Sequence, residues 1–149
     1  MVDDDGERRQ AYRAAVRLLA AREHSRAELK RKLERQLSVE AVEALLDELA
    51  AEGLQSDDRF VESYLHSRME RGFGPLRIRA ELQERGIDEA RIRLALEAVE
   101  EQWKERLLRV ARRKFGDDPP GDRREMGRRF RFLAGRGFPE HLIRDYLFS

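Results

Sequence analysis

Apolar positions recur at helical spacing along the whole chain, and polar or glycine stops cut them into pieces about one helix long. The first stripe is Tyr12, Ala15, Val16 and Leu19, spaced i, i+3, i+4, i+7, which gives one helix face to a core. It stops near His24. Ser25 and Glu28 have the spacing of a capping box, and Leu29 and Leu33 make the short stripe that follows. Ser38 suits the cap of a third helix carrying Val42, Leu45, Leu46 and Leu49, closed by Gly53.

The pattern then restarts. Ser56 can cap a helix with Phe60, Val61, Tyr64 and Leu65, stopped at Gly72. Pro75 suits the first turn of the next helix, which carries Ile78 and Leu82 and ends at Gly86. Asp88 caps a third helix with Ile92, Ala95, Leu96 and Val99. A looser third pass opens on Trp103, Leu107, Val110 and Ala111, a stripe that can run on from the helix before it. After the break at residues 116–121 come Met126, Phe130 and Leu133, a stop around Gly137, and a last helix from Pro139 with Leu142, Ile143, Tyr146 and Leu147. The segments ELQERGIDEARI, from residue 81, and FLAGRGFPEHLI, from residue 132, superpose at an offset of 51, and Leu33 matches Leu82 at an offset of 49. Such a repeat predicts an all-α protein of three tandem three-helix units, resembling helix–turn–helix modules, stacked in an elongated, curved array. The expected divisions are a flexible tail over residues 1–8 and repeats at 9–55, 56–100 and 101–149.

Composition agrees with helices and adds a charge pattern. Of the 149 residues 41% are charged and 40% hydrophobic, with a net charge of only +1. Residues 40–58 hold seven acids and no base, whereas residues 106–136 hold eleven bases; 27 of the 31 basic residues are arginine, which suits bidentate contact with carboxylate or phosphate. Cysteine is absent, which excludes disulfides and thiolate metal sites. No apolar run approaches the roughly 20 residues that span a bilayer, and the opening MVDDDGERRQ lacks a signal peptide's apolar core, so a cytoplasmic protein is expected.

Little in the chain speaks for catalysis. His24, His66 and His141 share no metal-type spacing, and Gly72, Phe73 and Gly74 lack the third glycine and the preceding strand of a dinucleotide loop. Neither a catalytic residue, a metal site nor a cofactor is expected.

One stretch carries a family resemblance. SDDRFVESYLHSRMERGFGPLRIRAELQERGI, residues 56–87, resembles the signature region of the RecX family of bacterial regulators. The matching positions are Asp57, Asp58, Arg59, Phe60, Tyr64, Arg68, Gly72, Gly74, Pro75, Ile78, Leu82, Gly86 and Ile87. LLAAREHSRAELKRKL, ending at Leu33, resembles the family's opening repeat, and Arg136, Gly137 and Phe138 its closing one. The resemblance implies a non-enzymatic protein that binds the RecA recombinase filament on DNA, and a monomer is expected. It further implies repression of ATP hydrolysis, strand exchange and the SOS coprotease activity, with some direct DNA binding besides.

Most of the signature reads as architecture: first-turn acids, buried apolar residues, and a turn in which Gly74 is expected to use positive φ. Arg59 is open both to a partner contact and to a pair with Asp57 or Asp58, while Arg68 is expected on the surface. The second helix of each unit is basic, with Arg26, Lys30 and Arg31, then Arg77, Arg79 and Arg85, then Arg128, Arg129 and Arg131. These are the candidate contacts to RecA or to the DNA backbone. The rival reading is a helix–turn–helix transcriptional regulator, but no helix presents the Asn, Gln and Ser mixture common in base-edge readout.

Overall fold

A computed structural model of the chain describes residues 4–149. Among the described residues there are nine α-helices and no strand: α1 (Asp4–Ala21), α2 (Arg26–Leu33), α3 (Val39–Ala51), α4 (Asp57–Glu70), α5 (Pro75–Glu84), α6 (Glu89–Ala98), α7 (Trp103–Phe115), α8 (Arg123–Gly135) and α9 (Glu140–Leu147). None is long and apolar enough to cross a membrane. They form three successive passes of three helices. A short 3-10 turn, Glu100–Gln102, separates α6 from α7, so the apolar stripe of α7 does not run on from the helix before it. The first helix begins earlier than the expected tail boundary: the chain is helical from Asp4, and Arg8 lies 3.6 Å from Glu48 of α3. The rest of that expected tail, residues 1–3, lies outside the described residues.

Local chemistry accounts for where the helices start. Ser25 and Glu28 close the capping box reciprocally: the Ser25 hydroxyl accepts from the Glu28 N–H at 3.1 Å, and the Glu28 carboxylate accepts from the Ser25 N–H at 3.0 Å. Ser38, Ser56 and Asp88 cap α3, α4 and α6 by accepting from the backbone N–H three residues on. Asp122 does the same for α8 at 2.8 Å.

The described chain divides into two compact units, and the division cuts through the middle pass. One unit runs to Ser63 and takes in Gln83–Arg91; the other holds Tyr64–Leu82 and Ile92–Ser149. In the first, α1, α2 and α3 pack pairwise over Ala11, Ala15, Leu29, Leu33, Val42, Leu45, Leu46 and Leu49. In the second, α7, α8 and α9 pack pairwise, and Trp103, Leu107, Ala111, Leu133, Phe138 and Ile143 are buried. Each large side chain so enclosed contributes about 1.5–3 kcal/mol.

A single kind of junction recurs inside both units and explains the division. In the first unit the turn after α5 meets the start of α2: the Ser25 hydroxyl donates to the Arg85 carbonyl at 2.8 Å, and a Cβ on Gly86 would sit 2.4 Å from the Ala27 Cβ. In the second unit the turn after α8 meets the start of α5. There the Gly74 N–H donates to the Arg136 carbonyl at 2.8 Å and the Leu76 N–H to the Gly137 carbonyl at 2.9 Å. A Cβ on Gly74 would lie 2.5 Å from the Gly137 carbonyl, and one on Gly137 would lie 2.4 Å from the Arg77 Cβ. Gly86 and Gly137 have φ of +78° and +98°. Gly74 does not have positive φ, contrary to expectation. Glycine is needed there because two backbones meet with no room for a side chain.

Candidate interaction surface

In the first unit the signature acids act across helices. The Asp57 carboxylate accepts from the Arg26 backbone N–H at 2.9 Å and from the Gln55 amide at 3.0 Å, so it closes the N-terminus of α2 from 31 residues away. Asp58 accepts from Arg91 at 2.8 Å, and Arg91 also binds Asp88 at 2.6 Å. The Asp88 carboxyl is held below its ordinary value, first by the Arg91 side-chain hydrogen bond. Arg59 pairs with Glu23 at 3.0 Å rather than with either neighbouring aspartate. His24 is buried among these elements, and that burial pushes its pKa down.

The expected contact residues of α2 divide in two. Arg26 is engaged by Glu43 at 2.8 Å and Asp47 at 2.9 Å, and Lys30 by Glu43 at 3.1 Å. The acidic stretch of α3 therefore serves α2, its own neighbour. Arg31 is exposed, with no carboxylate partner among the described residues. Arg85 is half-buried; its carbonyl takes the Ser25 hydroxyl.

In the second unit two of the expected surface arginines prove structural. Arg68 grips Glu81 through two hydrogen bonds of 2.9 and 2.7 Å, and its side chain is only 16% exposed. Burial alone would raise the Glu81 carboxyl, but hydrogen bonds from Arg68 and Tyr64 hold it below its ordinary value. The Phe73 ring lies under three guanidinium groups, with Arg68 at 3.9 Å, Arg77 at 4.3 Å and Arg136 at 4.9 Å from its centre. Phe73 thus organises the turn between α4 and α5, a role its sequence neighbours concealed. Tyr64 is half-buried beside Arg68, and Phe60, Ile78 and Leu82 are buried, as the helical stripes predict; Ile87, in the turn after α5, is buried as well.

Arg129 is the clearer correction. It is 5% exposed and donates to Glu125 at 3.0 Å, the Asp118 carbonyl at 3.0 Å and the Tyr146 hydroxyl at 2.8 Å. It locks the loop before α8 to α9 and is not available to a partner. Arg128 stays exposed while sharing Glu125 through two contacts of 2.9 Å. Arg131 is exposed and, like Arg31, has no carboxylate partner among the described residues. Arg77 is exposed but spans Glu81 and Phe73, and Arg79 is half-buried.

The Arg128 and Arg129 hydrogen bonds, Arg128 first, hold the Glu125 carboxyl down to about 2 from an ordinary 4.5. Folding lowers this value, so ionisation favours the folded state. The contribution is whole above about pH 4.5 and drains away as the pH falls toward 2. The melting-temperature gap between the parent and Glu125→Gln should accordingly be widest near neutrality and close under acid. A gap independent of pH would show that the ionised cluster is not what stabilises α8.

Among the described residues no group of three or more histidine, aspartate or glutamate side chains is placed to hold a metal ion. The geometry offers instead a scaffold in which a few enclosed arginines, Arg68 and Arg129 above all, hold helices together, while most arginines stay exposed. Residues 11–49 match the family model "RecX, first three-helix domain", residues 56–96 the second and residues 100–147 the third. The chain belongs to the RecX family. Regulatory protein RecX of Pseudomonas putida (strain GB-1) is 48% identical over 132 residues, covering 88% of this chain and 85% of that one. The protein of the same description from Pseudomonas syringae pv. tomato is 46% identical over the same shares. A crystal structure of RecX from Lactobacillus salivarius superposes with a TM-score of 0.79 over 96% of each chain at 22% identity, a likeness of fold. A second RecX crystal structure gives 0.75 over 94% of this chain and 72% of that one. RecX chains thus share three three-helix domains in the order found here.

Proposed function

We propose that this protein is a non-catalytic regulator that binds the RecA filament on DNA and restrains its ATP hydrolysis, strand exchange and SOS coprotease activities. The reading rests on one observation above all: RecX domain matches that tile the chain from residue 11 to residue 147. Exposed arginines on the second helices, Arg31 of α2 and Arg131 of α8, have the chemistry to meet acidic protein surface or phosphate. Arg77 and Arg128 join them only in part, since each already holds a carboxylate. The protein would work where RecA does, in the cytoplasm, as a monomer on the filament. A transcriptional regulator would instead prefer one duplex sequence.

The test compares binding to RecA-coated and to bare single-stranded DNA in one buffer, for the parent and for Arg31→Glu/Arg131→Glu. The parent should strongly prefer the coated DNA. Exposed charges contribute ~0–1 kcal/mol each, so the double reversal should weaken filament binding by up to roughly thirtyfold while helicity is unchanged. Equal affinity for bare and coated DNA would sink the reading.

A further inference from the structure

The second unit collects the bases of α7 around a cavity. It is a concave pocket of about 430 Å³ between the end of α4, the outer face of α7 and the C-terminal part of α8. Six cations line it: Arg71, Arg106, Arg109, Arg113, Lys114 and Arg136. Glu70 is the single acid in the lining, and Arg106 takes it at 2.9 Å. Arg109 lies 3.6 Å from Glu105, an exposed pair along α7. Arg71, Arg113, Lys114 and Arg136 have no carboxylate partner among the described residues. Four positive charges are therefore gathered at one small cavity without internal compensation, unlike Arg68 or Arg129 in the same unit.

The pocket is also built rather than incidental. The Arg136 guanidinium lies 4.9 Å from the centre of the Phe73 ring and 5.2 Å from that of Phe132, and one of its nitrogens donates to the Arg71 carbonyl at 3.2 Å. Lys114 lies 5.3 Å from the centre of the Phe132 ring, and Phe115 braces that ring edge-on at 5.4 Å. The floor is Gly72, at φ +87°. A Cβ there would meet Val110 at 3.1 Å and stand 3.8 Å from the Arg136 guanidinium.

We propose that this pocket binds a chain of phosphate groups. Its cations approach from three directions, the α4 end, α7 and the α8 cap. The tetrahedral oxygens of phosphate accept from several sides at once, whereas a planar carboxylate accepts one or two forks in its own plane. Five of the six cations are guanidinium groups, whose paired donors match phosphate oxygens. The volume suits a short run of phosphates and not a folded protein element. Two sources share this chemistry: the backbone of a single-stranded nucleic acid, and a free polyphosphate such as a nucleoside triphosphate. The site is separate from the exposed arginines invoked for the RecA filament, and its test needs no RecA.

The full-length protein is titrated at low salt with a labelled single-stranded oligonucleotide and, separately, with inorganic triphosphate and with polyglutamate. The variant is Arg113→Glu/Lys114→Glu, both at exposed positions, with Arg71→Glu as a second variant and circular dichroism verifying each fold. The parent should bind the oligonucleotide, the triphosphate or both. Either variant should bind them roughly tenfold or more weakly, with a shallower salt dependence. Displacement of the oligonucleotide by triphosphate assigns the pocket to either source; binding of the oligonucleotide without displacement assigns it to the nucleic-acid backbone. The proposal is overturned if the parent binds neither phosphate ligand, if both folded variants bind as the parent does, or if polyglutamate competes as well as triphosphate.

Discussion

Replacing Gly137 by alanine should cost more stability than the same change at Gly53 or Gly74. Two penalties coincide there. The backbone sits at φ +98°, where an L side chain is strained, and the new Cβ would stand 2.4 Å from the Arg77 Cβ and 2.7 Å from its backbone nitrogen. Strain of about 1–3 kcal/mol and overpacking of similar size give a total loss of roughly 2–6 kcal/mol. Gly53 is the internal control, because its φ of +75° is comparable yet nothing lies within 4 Å of an added Cβ. Gly53→Ala should show the strain alone. Gly74→Ala separates the other half: its backbone is not left-handed, but its Cβ would collide with the Gly137 carbonyl. Thermal melting of the three variants should rank Gly137→Ala as most damaging. If Gly53→Ala proved as damaging as Gly137→Ala, the close junction between turn and helix would carry no weight.

Removing the Arg68 side chain should be nearly as severe. Arg68 and Glu81 are 16% and 18% exposed, so Arg68→Ala leaves a largely desolvated carboxylate without its two charged donors. It also strips one of three cations from the Phe73 ring. Breaking an enclosed pair from one side costs about 3–5 kcal/mol when burial is complete, and somewhat less is expected here. Arg68→Met/Glu81→Leu should recover much of the loss, since two apolar residues leave no orphaned charge. If the double variant melted no higher than the single one, the pair would matter for something other than its charges.

Helices were legible in the chain because their punctuation is local. Ser25 with Glu28, Ser38, Ser56 and Asp88 cap within three residues of themselves, and Gly53, Gly72, Gly86 and Gly137 stop helices by their own backbone freedom. The near-50-residue offset was legible for a related reason, since the same junction recurs with the same glycine. What stayed hidden depends on distant partners. Nothing beside Arg129 announces Tyr146, 17 residues on, and nothing beside Asp57 announces the N–H of Arg26, 31 residues back. An arginine engaged by a carboxylate and one left exposed look alike in a sequence, so Arg68 and Arg129 were grouped with Arg31 and Arg131. The basic run of α7 was visible, but the pocket it lines is not. That pocket needs Phe132 and Arg136 from α8 and its cap, and the bare Gly72 backbone from the end of α4.

The central claim is met most directly by ATP hydrolysis of RecA on single-stranded DNA, followed while this protein is titrated in at fixed salt and fixed RecA. Turnover should fall progressively and saturably as the protein is added, and higher salt should shift the curve toward more protein, because exposed charge contacts are screened. Turnover unchanged at protein concentrations well above that of RecA, with the protein's helicity intact, would contradict the account.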